Sequence, residues 1–65
     1  MTVFHAGERA VLMRHGRPLC SVTIGEHPYP ATVWATDDEG RSAPFRSDGR
    51  TDRRYDYADT HLVRA

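Results

Sequence analysis

The sequence contains no lysine, no asparagine and no glutamine, and all nine of its cationic side chains are arginine. A GC-rich genome accounts for that bias, because lysine and asparagine codons are AT-rich. The sharper reading is selection for arginine's planar fork, which pairs bidentately with phosphate and carboxylate and stacks on aromatics. Cysteine is nearly absent too. The one thiol, Cys20, cannot close an internal disulfide, which excludes a secreted disulfide scaffold and favours a reducing cytoplasm or an obligate complex. No basic stretch leads into an apolar one at the start, so no signal peptide is expected. No apolar run approaches ~18 residues, so no membrane-spanning helix is expected. Excess charge is missing as well: formal net charge is zero, unlike a dedicated non-specific DNA binder, whose affinity comes from surplus cations on phosphates. Neither a G-x-S-x-G elbow nor a phosphate-cradling glycine loop occurs.

What is present fits one small domain spanning residues 1–65. A chain this short buries only ~60% of the surface that its unfolded form exposes, so its margin of stability is thin. No window shows a helical stripe at i, i+3, i+4, i+7. Apolar residues come instead in short runs separated by turn chemistry, the signature of strands. The runs are "ERAVLMR" (8–14), "LCSVTI" (19–24), "ATVWAT" (31–36), "RSAPFRS" (41–47) and "HLVRA" (61–65). "HGRP" is expected to end the first, with Gly16 at positive φ. "GEHPYP" breaks the chain between the second and third, and "DDEG" and "SDGR" are turns closed by Gly40 and Gly49. In the fourth run Arg41, Ala43 and Phe45 share one face and Ser42, Pro44 and Arg46 the other. Pro44 marks that run as an edge or bulged strand. "TDRRYDYADT" has room for a loop and one short helical turn.

Short strands of this number, linked by glycine turns, predict an all-β fold, a small barrel or rolled sheet. "GERAVLM" resembles the opening strand of the SH3-like small barrels, the group that includes Tudor and KOW modules. "TVWATDDEGRSAPF" resembles their central hairpin, and "DYADTHLVRA" their short helical turn and closing strand. The resemblance covers residues 7–65 and implies a five-stranded SH3-like barrel with a helical turn before the last strand. It departs from the KOW pattern, whose glycine between two apolar residues is not clearly present, and it lacks the SH3 proline-peptide motif. In style the chain is also similar to small bacteriophage or actinobacterial accessory proteins. Such barrels bind many kinds of ligand, so the resemblance implies no particular one.

Six aromatics stand out in so short a chain. Phe45 is expected in the core. Trp34 has two readings: it fills the core, or it faces out, leaving Val33 and Ala35 inside. Facing out near Tyr29, Tyr55 or Tyr57, it would form an aromatic cleft for a cation, a base or a proline. Arg46, Arg50, Arg53 and Arg54 crowd around the second turn, interleaved with Tyr55 and Tyr57. Asp48, Asp52, Asp56 and Asp59 alternate with them, so a salt-bridged solvated loop is the plainer reading. Residues 1–40 carry three arginines against five acids, and residues 41–65 six against four, which places any basic face in the second part. The histidines His5, His15, His27 and His61 lack metal-ligand spacing, and neither acidic turn has the spacing of a calcium loop, so no metal or other cofactor is expected.

These readings converge on a cytoplasmic, non-enzymatic binding module with a protein partner. Arg and Tyr are the residues enriched at protein interfaces. The expected partner surface is Trp34, Arg46, Arg50, Arg53, Arg54, Tyr55 and Tyr57. The alternative is a nucleic-acid-binding module that uses the Arg/Tyr cluster of residues 46–57. A third possibility is self-association through an edge strand, which Pro44 would blunt.

Overall fold

Alternation of apolar and polar side chains produces five antiparallel strands: β1 (Arg9–Arg14), β2 (Arg17–Glu26), β3 (Thr32–Asp37), β4 (Ser42–Arg46) and β5 (Thr60–Arg64). The computed structural model describes residues 3–51 and 60–65. The strands pair in the order β4-β3-β2-β1-β5, in a single sheet curled into a half-barrel. The fold is therefore all-β, as the runs of the sequence predict. The expected helical turn falls on residues 52–59 and lies outside the described residues. Among the described residues, no helix is long and apolar enough to cross a membrane.

One side chain in two from each strand lines the concave face. Ala10 on β1 pairs with Val22 on β2, Ile24 on β2 with Ala35 on β3, and Val33 on β3 with Phe45 on β4. These six, with Leu62 from β5 and Phe4 from the N-terminal segment, form the buried core. Burying a side chain such as Ile24 or Phe45 contributes about 1.5–3 kcal/mol. Phe4 enters because its N–H donates to the Ser47 carbonyl (2.7 Å) and Gly7 N–H to the Ile24 carbonyl (2.8 Å), which ties the N-terminal segment across the end of the sheet. Arg64 fastens it from the other terminus. Its guanidinium pairs with Glu8, donates to the Val3 carbonyl (2.8 Å) and lies 5.3 Å from the centre of the Phe4 ring.

Three turns set the register. His15 and Gly16, both at positive φ (51° and 75°), form the two-residue hairpin between β1 and β2. The other two corners share one hydrogen-bond pattern. In the first, Gly40 N–H donates to Asp37 C=O and Asp37 N–H to Arg41 C=O. In the second, Gly49 N–H donates to Arg46 C=O and Arg46 N–H to Arg50 C=O. Gly40 (φ 85°) and Gly49 (φ 90°) occupy the same left-handed position. Their consequences differ. The first corner leads directly into β4. The second turns the chain across the seam to β5, where Leu62 N–H donates to Gly49 C=O (2.7 Å) and Arg50 bridges His61. There the backbones approach so closely that a Cβ on Gly49 would lie 2.8 Å from both Leu62 O and Phe4 Cε2. This corner stitches the two edge strands together.

The sequence boundaries need correction at β2, which runs from Arg17 through Glu26 rather than starting after "HGRP" and stopping before "GEHPYP". Pro18 is tolerated because it sits one pair from the two-residue hairpin, where its nitrogen points away from β1. On that other side β3 pairs only with Val22–Glu26, so no ladder bond is lost. Leu19 is the extra residue of a bulge between the Leu12 and Met13 pairings, and it stands exposed. Pro44 is on edge strand β4, as its chemistry requires. The bonds at Asp37–Arg41 and Ser47–Ala31 fix the parity of the β3–β4 ladder, so the Pro44 nitrogen points off the sheet. On β5, Leu62 N–H and Thr60 C=O, which face outward, are engaged by Gly49 and Thr51. Both edges are thus blunted against pairing with another chain.

A candidate binding surface around Trp34

Trp34 lies between Val33 (7% exposed) and Ala35 (4%) on β3. Both neighbours face the core, so strand alternation turns the Trp34 ring to the convex face. Its cross-strand partners are Gly25 on β2 and Pro44 on β4. The His27 ring packs against Trp34, with centroids 4.6 Å apart and planes tilted by 43°. The Tyr29 ring is 5.3 Å from His27 in turn. Tyr29 N–H donates to His27 Nδ1 (3.1 Å), which fixes the ring orientation and makes Nδ1 the acceptor. The β2–β3 loop that carries His27 and Tyr29 is rigidified locally. Its Tyr29–Pro30 bond is trans, Ala31 takes positive φ (56°), and Thr32 Oγ1 donates to Pro30 C=O (3.3 Å). Tyr29 is 56% exposed, so the row Tyr29–His27–Trp34–Pro44 has solvent at one end and the sheet at the other.

The structure brings some of the sequence-derived candidates together and separates others. Trp34 joins Tyr29 through His27. Arg46 shares their face, opposite Thr32 and diagonal to Trp34. Its guanidinium pairs with Asp48 at 2.9 Å. Arg50 is exposed but held in the closing corner, where its N–H donates to Asp48 Oδ1 (3.0 Å) and its backbone bridges β5. Arg53, Arg54, Tyr55 and Tyr57 lie outside the described residues. His27 is the member that sequence reasoning missed. Histidine spacing speaks only to metal binding, whereas the place of His27 follows from "HPY" setting two rings on one tight loop beside an outward tryptophan.

Charge on the described surface is locally cancelled. Arg41 pairs with Asp37 (3.0 Å) and Glu39 (3.2 Å), and Arg9 with Asp38 (3.6 Å). Such surface pairs contribute little to stability, but they shorten the reach of the field. Asp37 is the most constrained acid. The Arg41 backbone N–H foremost, with the Arg41 side chain and the Glu39 N–H, holds its carboxyl below the ordinary value. The same carboxylate raises Arg41. Cys20 is half-buried against the core, a packing position for a free thiol. Among the described residues, no three His, Cys, Asp or Glu side chains converge on a possible metal position. No protein-family model matches the chain, and neither a curated protein nor a solved structure matches it.

Proposed function

We propose that the protein is a non-enzymatic, SH3-like binding module that docks onto a larger protein assembly through the surface centred on Trp34. One observation carries this reading: the buried core is formed by other residues, and the chain's single tryptophan stands outside it, packed against His27, which links it to Tyr29, and opposite Pro44. A large aromatic beside an arginine is the usual composition of an interface anchor. Arg46 supplies the arginine. The nucleic-acid alternative is less favoured, because Arg41 and Arg46, at the two turns, are paired with Asp37, Glu39 and Asp48. Phosphate binding needs cations in surplus.

The test is affinity purification from the cells that make the protein, with wild-type chain and a Trp34→Ala variant of verified fold. The expected result is one stoichiometric protein partner, lost with Trp34→Ala. Recovery of nucleic acid in a salt-sensitive complex, abolished by Arg53→Ala with Arg54→Ala, would replace this reading by the alternative.

A further inference from the structure

The concave face is filled unevenly. At one end Phe4, Ile24, Phe45 and Leu62 close the core. At the other end the facing side chains are small: Ala35 is paired with Ala43 across β3 and β4, and Cys20 lies opposite Leu12 across β2 and β1. The result is an apolar cavity of about 160 Å³ whose described walls include Leu12, Cys20, Val22, Ala35, Ala43 and Phe45. The space is partly open at its mouth, and its volume is close to the roughly 150 Å³ of an enclosed apolar cavity that takes up benzene. Among the described residues, two small side chains directly opposite each other leave this space where valine or leucine would fill it.

A fixed acceptor stands at the rim. Asp37 pairs with Val22, a core residue, so its side chain is on the concave side, and it lines the cavity with Arg41. Asp37 Oδ1 accepts from the Glu39 and Arg41 N–H groups, and Oδ2 accepts Arg41 Nε. A carboxylate offers about four acceptor directions. With three in use, one remains on an oxygen whose position is set by the turn.

We propose that this cavity is a binding site for a small ligand with a compact apolar body of about six to eight non-hydrogen atoms and a hydrogen-bond donor directed at Asp37. It is separate from the Trp34 surface, which lies on the opposite face of the sheet, so either site stands if the other fails. The test uses benzylamine and toluene as probes, titrated into isotope-labelled full-length protein and followed by NMR. Both probes are expected to saturate, with shifts centred on Leu12, Val22, Ala35 and Ala43, and benzylamine is expected to bind more tightly. Ala43→Leu and, independently, Ala35→Leu fill the space, and each is expected to abolish binding while keeping a dispersed, folded spectrum. Absence of saturable binding by either probe overturns the proposal, as does binding that survives the folded filling variants. Equal affinity of the two probes overturns the donor requirement.

Discussion

Replacing Gly49 with alanine is the sharpest probe of how the half-barrel is held together, because Gly40 provides an internal control. Both glycines close turns with the same hydrogen-bond pattern, and both lie at positive φ, 90° and 85°. Placing an L-residue in that region costs about 1–2 kcal/mol at either position. Around Gly40 a new Cβ meets nothing within 4 Å, so Gly40→Ala is expected to show only that cost. At Gly49 the Cβ would lie 2.8 Å from the Leu62 carbonyl oxygen and 2.8 Å from Phe4 Cε2. The carbonyl belongs to β5 backbone and the ring is buried, so neither gives way freely. Overpacking of this kind costs about 1–3 kcal/mol more. Gly49→Ala is therefore expected to lose roughly 2–5 kcal/mol in total. A domain of 65 residues has about 3–10 kcal/mol to lose. Urea denaturation followed by circular dichroism reads the difference directly. Thermal melts should separate the two variants by about 4–8 °C per kcal/mol. Equal losses at the two glycines would refute the close approach at the seam, and with it the role of the second corner in joining β4 to β5.

Other expectations follow from the same packing. Phe4→Ala should cost about 3–5 kcal/mol, as for a core aromatic, whereas a loosely attached N-terminal tail would show no change in the urea midpoint. Phe45→Ala should cost a similar amount. Trp34→Ala, on the convex face, should cost no more than about 2 kcal/mol and leave a cooperative melt. Equal losses from Phe45→Ala and Trp34→Ala would place Trp34 in the core after all. Acid titration should expose Asp37. Its carboxyl is held low by the Arg41 and Glu39 contacts, so the stability it contributes is fully present above the ordinary aspartate pKa. That contribution is lost as pH falls through the depressed folded value. Asp37→Asn should flatten the acid limb of the stability profile, and an unchanged acid limb would refute the assignment.

Much of this architecture was legible in short-range chemistry. "ATVWATDDEGRSAPF" reads as a hairpin because its alternation has period two and Gly40 has the freedom its turn requires, and the face assignment of Ala43 and Phe45 follows from the same period. Trp34 stayed ambiguous in sequence because both faces of β3 carry apolar residues. Burial of Val33 and Ala35 resolves it. What short-range reasoning could not supply was long-range. Phe4 enters the core through a bond to Ser47, Arg64 reaches Glu8 and Val3, and Gly49 touches Leu62. No local pattern encodes these contacts. Pro18 reads as a strand end because proline has no N–H for a ladder. Here its nitrogen faces a stretch of β2 edge that β3 does not reach. "DDEGRSAPFRSDGR" contains one turn device used twice, and only the fold reveals that its second copy closes the seam.

The central claim, that Trp34 is a surface anchor outside the buried core, is tested most directly by collisional quenching of its fluorescence, since Trp34 is the chain's single tryptophan. The account predicts emission quenched readily by acrylamide in the free protein and shielded once the partner recovered by affinity purification is added to saturation. A tryptophan already inaccessible in the free folded protein, or one equally accessible in the saturated complex, would contradict it.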